Sequence, residues 1–292
     1  PEADTINPVE IDFRSPRVQR NRKFVEASNH LEAFDLAPGN TSLAVVSRGQ
    51  AFTMAYWEGA AMRHGKVTTT EMGENHPTMT VRYRLARWLN DGKRLLLVSD
   101  EGDSTNHKGN ERLEIHYLDP VTSAERLDQI DIGRPVLMLV SPQADLVALT
   151  NHRHQLILVD LEQNTSQILD QSPHGRIAGF SWSPDGQWIV FWTIGKVNED
   201  GSYAVTGRRD IGIVKADGTD FHLITDDIEF DWSPCWSSDG SKLLFCSDRG
   251  GPMGIWEFDF DSNSGRTTSP PRALPTPTDF AGRLDVSRLD SS

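Results

Sequence analysis

Trp182-Ser-Pro-Asp-Gly186, followed at once by the apolar run Trp188-Ile-Val-Phe-Trp192, reads as a strand end, a tight turn and a second strand. Pro presets φ, and Asp-Gly supplies the positive φ that a short hairpin connection needs between two β-rich runs. The unit recurs as Trp88-Leu-Asn-Asp-Gly92 before Arg94 to Ser99, and as Trp236-Ser-Ser-Asp-Gly240 before Lys242 to Ser247. Degenerate copies stand at Leu36-Ala-Pro-Gly39 before Ser42 to Ser47, and at Val140-Ser-Pro-Gln143 before Leu146 to Thr150. The anchors Leu36, Trp88, Val140, Trp182 and Trp236 are spaced by 52, 52, 42 and 54 residues, which brackets a repeat of one supersecondary unit.

Each second strand is followed by a polar loop and a third strand: Leu113 to Leu118, Leu156 to Leu161, Asp210 to Lys215 and Gly254 to Phe260. Short fourth strands follow at Ser166 to Leu169 and Phe221 to Thr225. Four strands per repeat predict an all-β fold, a β-propeller of four-stranded antiparallel blades, over a sandwich of two stacked sheets. The expected blades are 28–72, 78–130, 134–170, 176–226 and 228–278, within a single domain over 1–292. A composite sixth blade closed by the termini is expected from 8–27 and 280–292, because an open ring exposes sheet edges and an apolar face. Ser262 to Thr278, rich in Ser, Thr and Pro, reads as a loop or a disordered stretch.

The 292 residues carry 42 acidic and 29 basic side chains, a formal charge of −13, and a mean hydropathy of −0.46. That balance is globular, and its field repels phosphate backbones, so nucleic acid is excluded as a partner. No apolar run approaches the roughly 20 residues of a membrane-spanning helix, so no membrane association is expected. No secretory signal is legible, and the chain is expected to be cytoplasmic. The two cysteines, Cys235 and Cys246, read as buried thiols, a bridge between neighbouring strands being the alternative.

Several words of the sequence are more specific than the blade pattern. They are Asp12-Phe-Arg-Ser-Pro16, Gln19-Arg-Asn-Arg-Lys-Phe24, Trp57-Glu-Gly59, Tyr83-Arg-Leu-Ala-Arg-Trp-Leu-Asn-Asp-Gly92, Asn151-His-Arg-His154 and His174-Gly-Arg-Ile-Ala178. Through them the stretch from Val9 to Phe191 resembles the β-propeller region of tricorn-type proteases, large self-compartmentalising serine peptidases. Beyond about Ile194 the chain resembles the generic repeat of TolB-like propellers. The resemblance implies a module that gates or binds peptides for a separate peptidase region accompanied by a PDZ domain. The family's nucleophile and histidine partner have no matching positions here, so no catalytic residue is assigned. The alternative is a free-standing TolB-like scaffold that binds a protein partner.

The loops after each second strand are expected to ring the channel mouth, where a rigid scaffold presents functional side chains. They are Arg48 and Gly49, Asp100 and Glu101, Asn151 to His154, Ile194 to Lys196, and Asp248 to Gly250. The binding candidates are Arg48, Asp100, Asn151, His152, Arg153, His154, Asp248 and Arg249; Arg48, Arg153, His154 and Arg249 are expected to touch a peptide's backbone or carboxylate. His152 and His154, two apart, could ligate zinc, but no third ligand lies nearby, and a structural loop pair is preferred. The acidic runs Asp100, Glu101, Asp103 and Asp226, Asp227, Glu229 lack the alternating ligands of a calcium loop. No metal and no cofactor is therefore expected. Arg14, Arg17, Arg20, Arg22 and Lys23 read as a solvated or subunit-docking segment. Trp88, Trp182, Trp232 and Trp236 are expected to pack between blades.

Overall fold

The computed structural model describes residues 26–57, 59–65, 81–101, 111–118, 124–172, 177–197 and 203–275. The chain divides into two units, Pro1–His30 and Leu31–Ser292. In the first, the described residues form a 3-10 turn, Ala27–His30, in which the Asn29 side chain donates to Glu26. The basic cluster from Arg14 to Lys23 and the composite sixth blade, 8–27 with 280–292, lie outside the described residues except Glu26 and Ala27, where the 3-10 turn begins.

Among its described residues the second unit holds five antiparallel sheets, each a meander in chain order, with the last strand of the fifth returning to pair its third. Blade 1 comprises β1 (Leu31–Leu36), β2 (Ser42–Ser47), β3 (Gln50–Ala55) and β4 (Met62–His64). Blade 2 comprises β5 (Tyr83–Trp88), β6 (Arg94–Ser99), β7 (Arg112–Tyr117) and β8 (Ala124–Arg126). Blade 3 comprises β9 (Pro135–Val140), β10 (Leu146–Asn151), β11 (Gln155–Asp160) and β12 (Thr165–Gln171). Blade 4 comprises β13 (Ala178–Trp182), β14 (Trp188–Val197), β15 (Tyr203–Lys215) and β16 (His222–Leu223). Blade 5 comprises β17 (Asp231–Trp236), β18 (Lys242–Ser247), β19 (Gly254–Asp261), β20 (Arg266–Thr267) and β21 (Arg272–Ala273). First strand lies beside first strand from blade to blade, β5 on β1, β9 on β5, β13 on β9 and β17 on β13, so the fold is a β-propeller.

The hairpin turns are built as their residues dictate. At Ser183 to Trp188 the Gly186 amide donates to the Ser183 carbonyl at 2.9 Å with φ +70°, while the Asp185 carboxylate accepts the Gln187 amide at 3.0 Å. Asp91 and Asp239 repeat this in blades 2 and 5. Donors from Ser237 and Ser241 hold the exposed Asp239 carboxyl down at about 2.

Because blades 2 and 3 are clamped between neighbours, their second and third strands are buried on both faces, as in the apolar run Leu95 to Val98. Four apolar layers result. Trp88 packs with Ala44, Val46 and Leu97 between blades 1 and 2; Leu96, Val98, Val147 and Ile157 join blades 2 and 3. Trp182 packs with Ala148 and Leu158 between blades 3 and 4, and Trp236 with Trp188 and Ile213 between blades 4 and 5. Three first strands carry a bulge whose left-handed residue, Leu85, Gly179 or Ser233, stands three before the tryptophan anchor. Such bulges bend and twist the innermost strand.

Two expectations need correction. Ser262 to Thr278 holds β20 and β21, both paired with β19, because Gly265 at φ +69° closes a tight turn that Ser/Thr/Pro composition conceals. Ile194 to Lys196 is strand and not loop: the β14–β15 hairpin continues past Ile194↔Arg209 to Val197↔Tyr203, carried by β-branched and aromatic residues on both arms. Cys235 and Cys246 are buried and form no disulfide, as the thiol reading has it.

Candidate functional site

In each up-and-down sheet, the turn after the second strand and the entry into the first strand lie at the same end. The pairs Tyr83↔Ser99, Pro135↔Asn151 and Asp231↔Ser247 mark that end in blades 2, 3 and 5. A repeated clip closes it. The Arg82 amide donates to the Asp100 carboxylate at 2.7 Å, the Arg134 amide to His152 Nδ1 at 3.0 Å, and the Phe230 amide to the Asp248 carboxylate at 2.8 Å. Each pair is 18 residues apart, so Asp100, His152 and Asp248 occupy one position of the repeat. Accepting an amide at Nδ1 places the proton of neutral His152 on Nε2. These three expected binding residues therefore anchor the start of their own blades.

Asn151 is fully buried and saturated. Its carbonyl oxygen accepts the Arg153 and Gln155 amides at 2.9 and 3.2 Å, and its amide donates to Ile132 O and Gln155 Oε1 at 3.2 and 2.8 Å. His154 is the left-handed residue of the same turn, at φ +59°, and its carbonyl accepts the Ser172 amide. Arg153 reaches Asp131 through two contacts, 2.8 and 3.2 Å, and holds that carboxyl below the usual range. Arg249 lies under the surface. It bonds Asp231 at 2.6 Å, Asp227 at 3.1 Å and Ser247 Oγ at 2.9 Å, and stacks over Phe245 and Trp256. Arg48 stands exposed at φ +52° at the tip of the β2–β3 turn. The structure thus gathers Asn151, His152, Arg153 and His154 in one turn of blade 3, the His154 amide donating to the Asn151 carbonyl, but spreads the remaining candidates over blades 1, 2 and 5.

Four arginines outside that set prove central to this end. Arg84 pairs with the buried Glu111 at 2.8 Å and donates to the Pro135 carbonyl at 2.8 Å, tying blade 2 to blade 3. Burial pushes the Glu111 carboxyl up in spite of that partner. Arg87 donates to Met138 O at 2.8 Å and Phe34 O at 3.3 Å, linking the first strands of three blades. Arg82 is exposed, its side chain lying across Gly49 where a Cβ would meet it at 3.0 Å. Arg134 is 68% exposed, 3.9 Å from Glu111. The signal of three of them in the sequence is Arg82 just before β5 with Arg84 and Arg87 inside it, where β9 carries Val136 and Leu139 at the positions of Arg84 and Arg87. Trp232 departs from the simple inter-blade role: it packs on Cys246 beside Trp192, and the Arg209 guanidinium lies 5.2 and 5.9 Å from the Trp192 and Trp232 rings.

At the opposite end, a groove of about 560 Å³ between blades 3 and 4 is lined by Leu146, Leu158, Asp160, Thr165, Gln167 and Asp217. Among the described residues no group of three His, Cys, Asp or Glu side chains is arranged to hold a metal, and no helix is long and apolar enough to cross a membrane.

The model of the tricorn protease second beta propeller domain matches residues 31–264. The chain belongs to this tricorn propeller family. The match runs through blade 5, well past Ile194, where the sequence resemblance was expected to give way to generic repeats. A tricorn protease homolog of Saccharolobus solfataricus is 25% identical over 249 residues, 85% of this chain and 20% of that protein. The tricorn protease crystal structure superposes with a TM-score of 0.62 at 20% identity, over 81% of this chain and 22% of that one. A structure solved as a candidate TolB from Agrobacterium tumefaciens superposes at 0.51 with 17% identity, over 84% and 91%, sharing the fold. The tricorn propeller chain spans between about an eighth and a quarter of the curated relatives it matches.

Proposed function

We propose that the chain is a non-catalytic propeller module of a tricorn-like protease, binding or gating peptides at the end of the blades where the second-strand turns emerge. The family match supports the module, and the disposition of arginines at that end supports the binding role. Arg153 and Arg249, expected to meet a peptide, are spent on Asp131 and on Asp231 with Asp227. Arg48, Arg82 and Arg134 are exposed instead, on consecutive blades of a chain whose net charge is −13. Guanidinium forks suit peptide carbonyls and carboxylates, and a local positive arc in a negative field concentrates such groups. A peptidase region and a PDZ domain are the partners this role requires.

The test is a fluorescence anisotropy titration of a labelled unstructured peptide against the chain and two variants. The triple substitution Arg48→Gln, Arg82→Gln, Arg134→Gln is expected to weaken binding by about tenfold or more, equivalent to about 1.4 kcal/mol. Arg153→Gln is expected to leave affinity within about twofold. Equal affinity in the triple variant overturns the assignment.

A further inference from the structure

We propose that the seam between blades 1 and 2 is an acid-sensitive latch, in which a proton on His64 drives the short strand β4 away from blade 2. His64 ends β4 and is 3% exposed. Its Nε2 lies 2.7 Å from Thr53 Oγ1 on β3, while its Nδ1 is buried without a partner. Across the seam, the His116 ring meets it edge to face, centroids 6.2 Å apart. Nε2 of His116 lies 3.0 Å from Glu114, whose other oxygen accepts the Ser99 hydroxyl at 2.6 Å. Tyr83 packs edge-on against His116 at 5.6 Å and lies flat on Gly65, where a Cβ would come within 2.2 Å of the ring. Five polar side chains, all buried, thus meet across one seam: Thr53 and His64 from blade 1, Ser99, Glu114 and His116 from blade 2.

The charge inventory leaves a proton on His64 unsupported. From β3 it faces only the Thr53 hydroxyl. From β7 it faces His116, itself a base, and the carboxylate beyond that ring, Glu114, is already shared by His116 and Ser99. Arg126 on β8 acts on that carboxylate and adds positive charge. An imidazolium here would carry an N–H aimed at nothing, and a buried unpaired charge is relieved by exposure to water. The cheapest exposure is loss of β4, a three-residue edge strand paired only through Ala51↔His64, Phe52↔Arg63 and Thr53↔Met62. Burial, helped by His116, holds the His64 pKa down at about 4 against an ordinary 6.5. A group depressed in this direction contributes fully when neutral, above about pH 6.5, and its contribution is lost as pH falls toward 4.

Hydrogen exchange read by mass spectrometry on the full chain, corrected for intrinsic rates, tests the latch at about pH 7.5 and about pH 4.5. Amide protection over Met62–Gly65 is expected to fall by about tenfold or more at the lower pH, while β18 in blade 5 keeps its protection. His64→Gln, which retains a partner for Thr53, is expected to hold β4 equally protected at both values. An unchanged β4 in the wild type, or the same loss in His64→Gln, overturns the proposal. Should His64→Gln not fold, His116→Gln serves: without the second imidazole a proton on His64 is better tolerated, so the acid loss of β4 protection is expected to shrink, and an undiminished loss counts against the latch.

Discussion

The guanidinium of Arg249 lies 2.6 Å from the carboxylate of Asp231, a residue with no exposed surface, at the entry of the first strand of blade 5. Even so, the Asp231 carboxyl sits above its ordinary range, because burial outweighs its hydrogen bonds to Ser247 and Arg249. The pair holds the blade's entrance against its own second strand, which is why Arg249 is unavailable to a ligand.

Arg249→Met removes the counter-charge and strands the buried carboxylate. Breaking such a pair costs about 3 kcal/mol at neutral pH. A carboxyl whose folded pKa is raised favours the folded state most when protonated, and that contribution is lost as pH rises. Urea unfolding of wild type and variant at about pH 7 and about pH 4 should therefore show the gap narrowing in acid. A gap independent of pH contradicts the role given to Asp231.

Leu36 and Trp88 hold the same position of the repeat, yet Leu36 is 47% exposed and Trp88 5%. Trp88, Trp182 and Trp236 lean on the preceding blade, whereas no described residue covers the face of Leu36 and Phe34. Trp88→Ala is expected to cost about 3–5 kcal/mol and Leu36→Ala under about 1. Equal costs in urea titration would mean that a further blade, such as the composite one expected from 8–27 and 280–292, covers this face.

Most of this architecture was legible because tryptophan, turn and second strand sit at fixed offsets. Ser42 to Ser47, Arg94 to Ser99 and Lys242 to Ser247 are strands over those spans. The site was harder to read, since a turn residue that accepts an amide looks the same in sequence as one that accepts a ligand. Asp100, His152 and Asp248 could be recognised as clips only through partners 18 residues upstream. Arg153 likewise needed Asp131, and Arg249 needed Asp231, neither adjacent in sequence. The blade 4 hairpin outruns the expected strands because pairing resumes at Lys196↔Ala204 after a register shift at Gly195, a residue of low strand propensity.

Gly265→Ala probes the seam of blades 4 and 5. At φ +69° an added Cβ would fall 2.2 Å from the Trp188 ring, and Trp188 is fully buried with its indole donating to Ser262 O at 2.8 Å. Strain and overpacking together predict a loss of about 3 kcal/mol. Gly251→Ala, at φ +100° with open space around it, should lose only about 1–2.

Thiol chemistry reports on blade 5. Burial pushes the Cys246 thiol up to about 11, and Cys235 is buried on the adjacent strand β17, opposite Leu244. Since the thiolate is the reactive form, an aromatic disulfide reagent should find neither cysteine in the native chain and both in denaturant. Rapid native labelling would show that β17 and β18 open more readily than their packing allows.

What happens to a peptide after it binds separates a binding module from a peptidase. Incubating the purified chain with a saturating peptide panel and following the peptide masses over time is the decisive measurement. Saturable binding with every peptide recovered intact is the predicted result. Time-dependent fragments that scale with protein concentration would contradict a module that binds without cleaving.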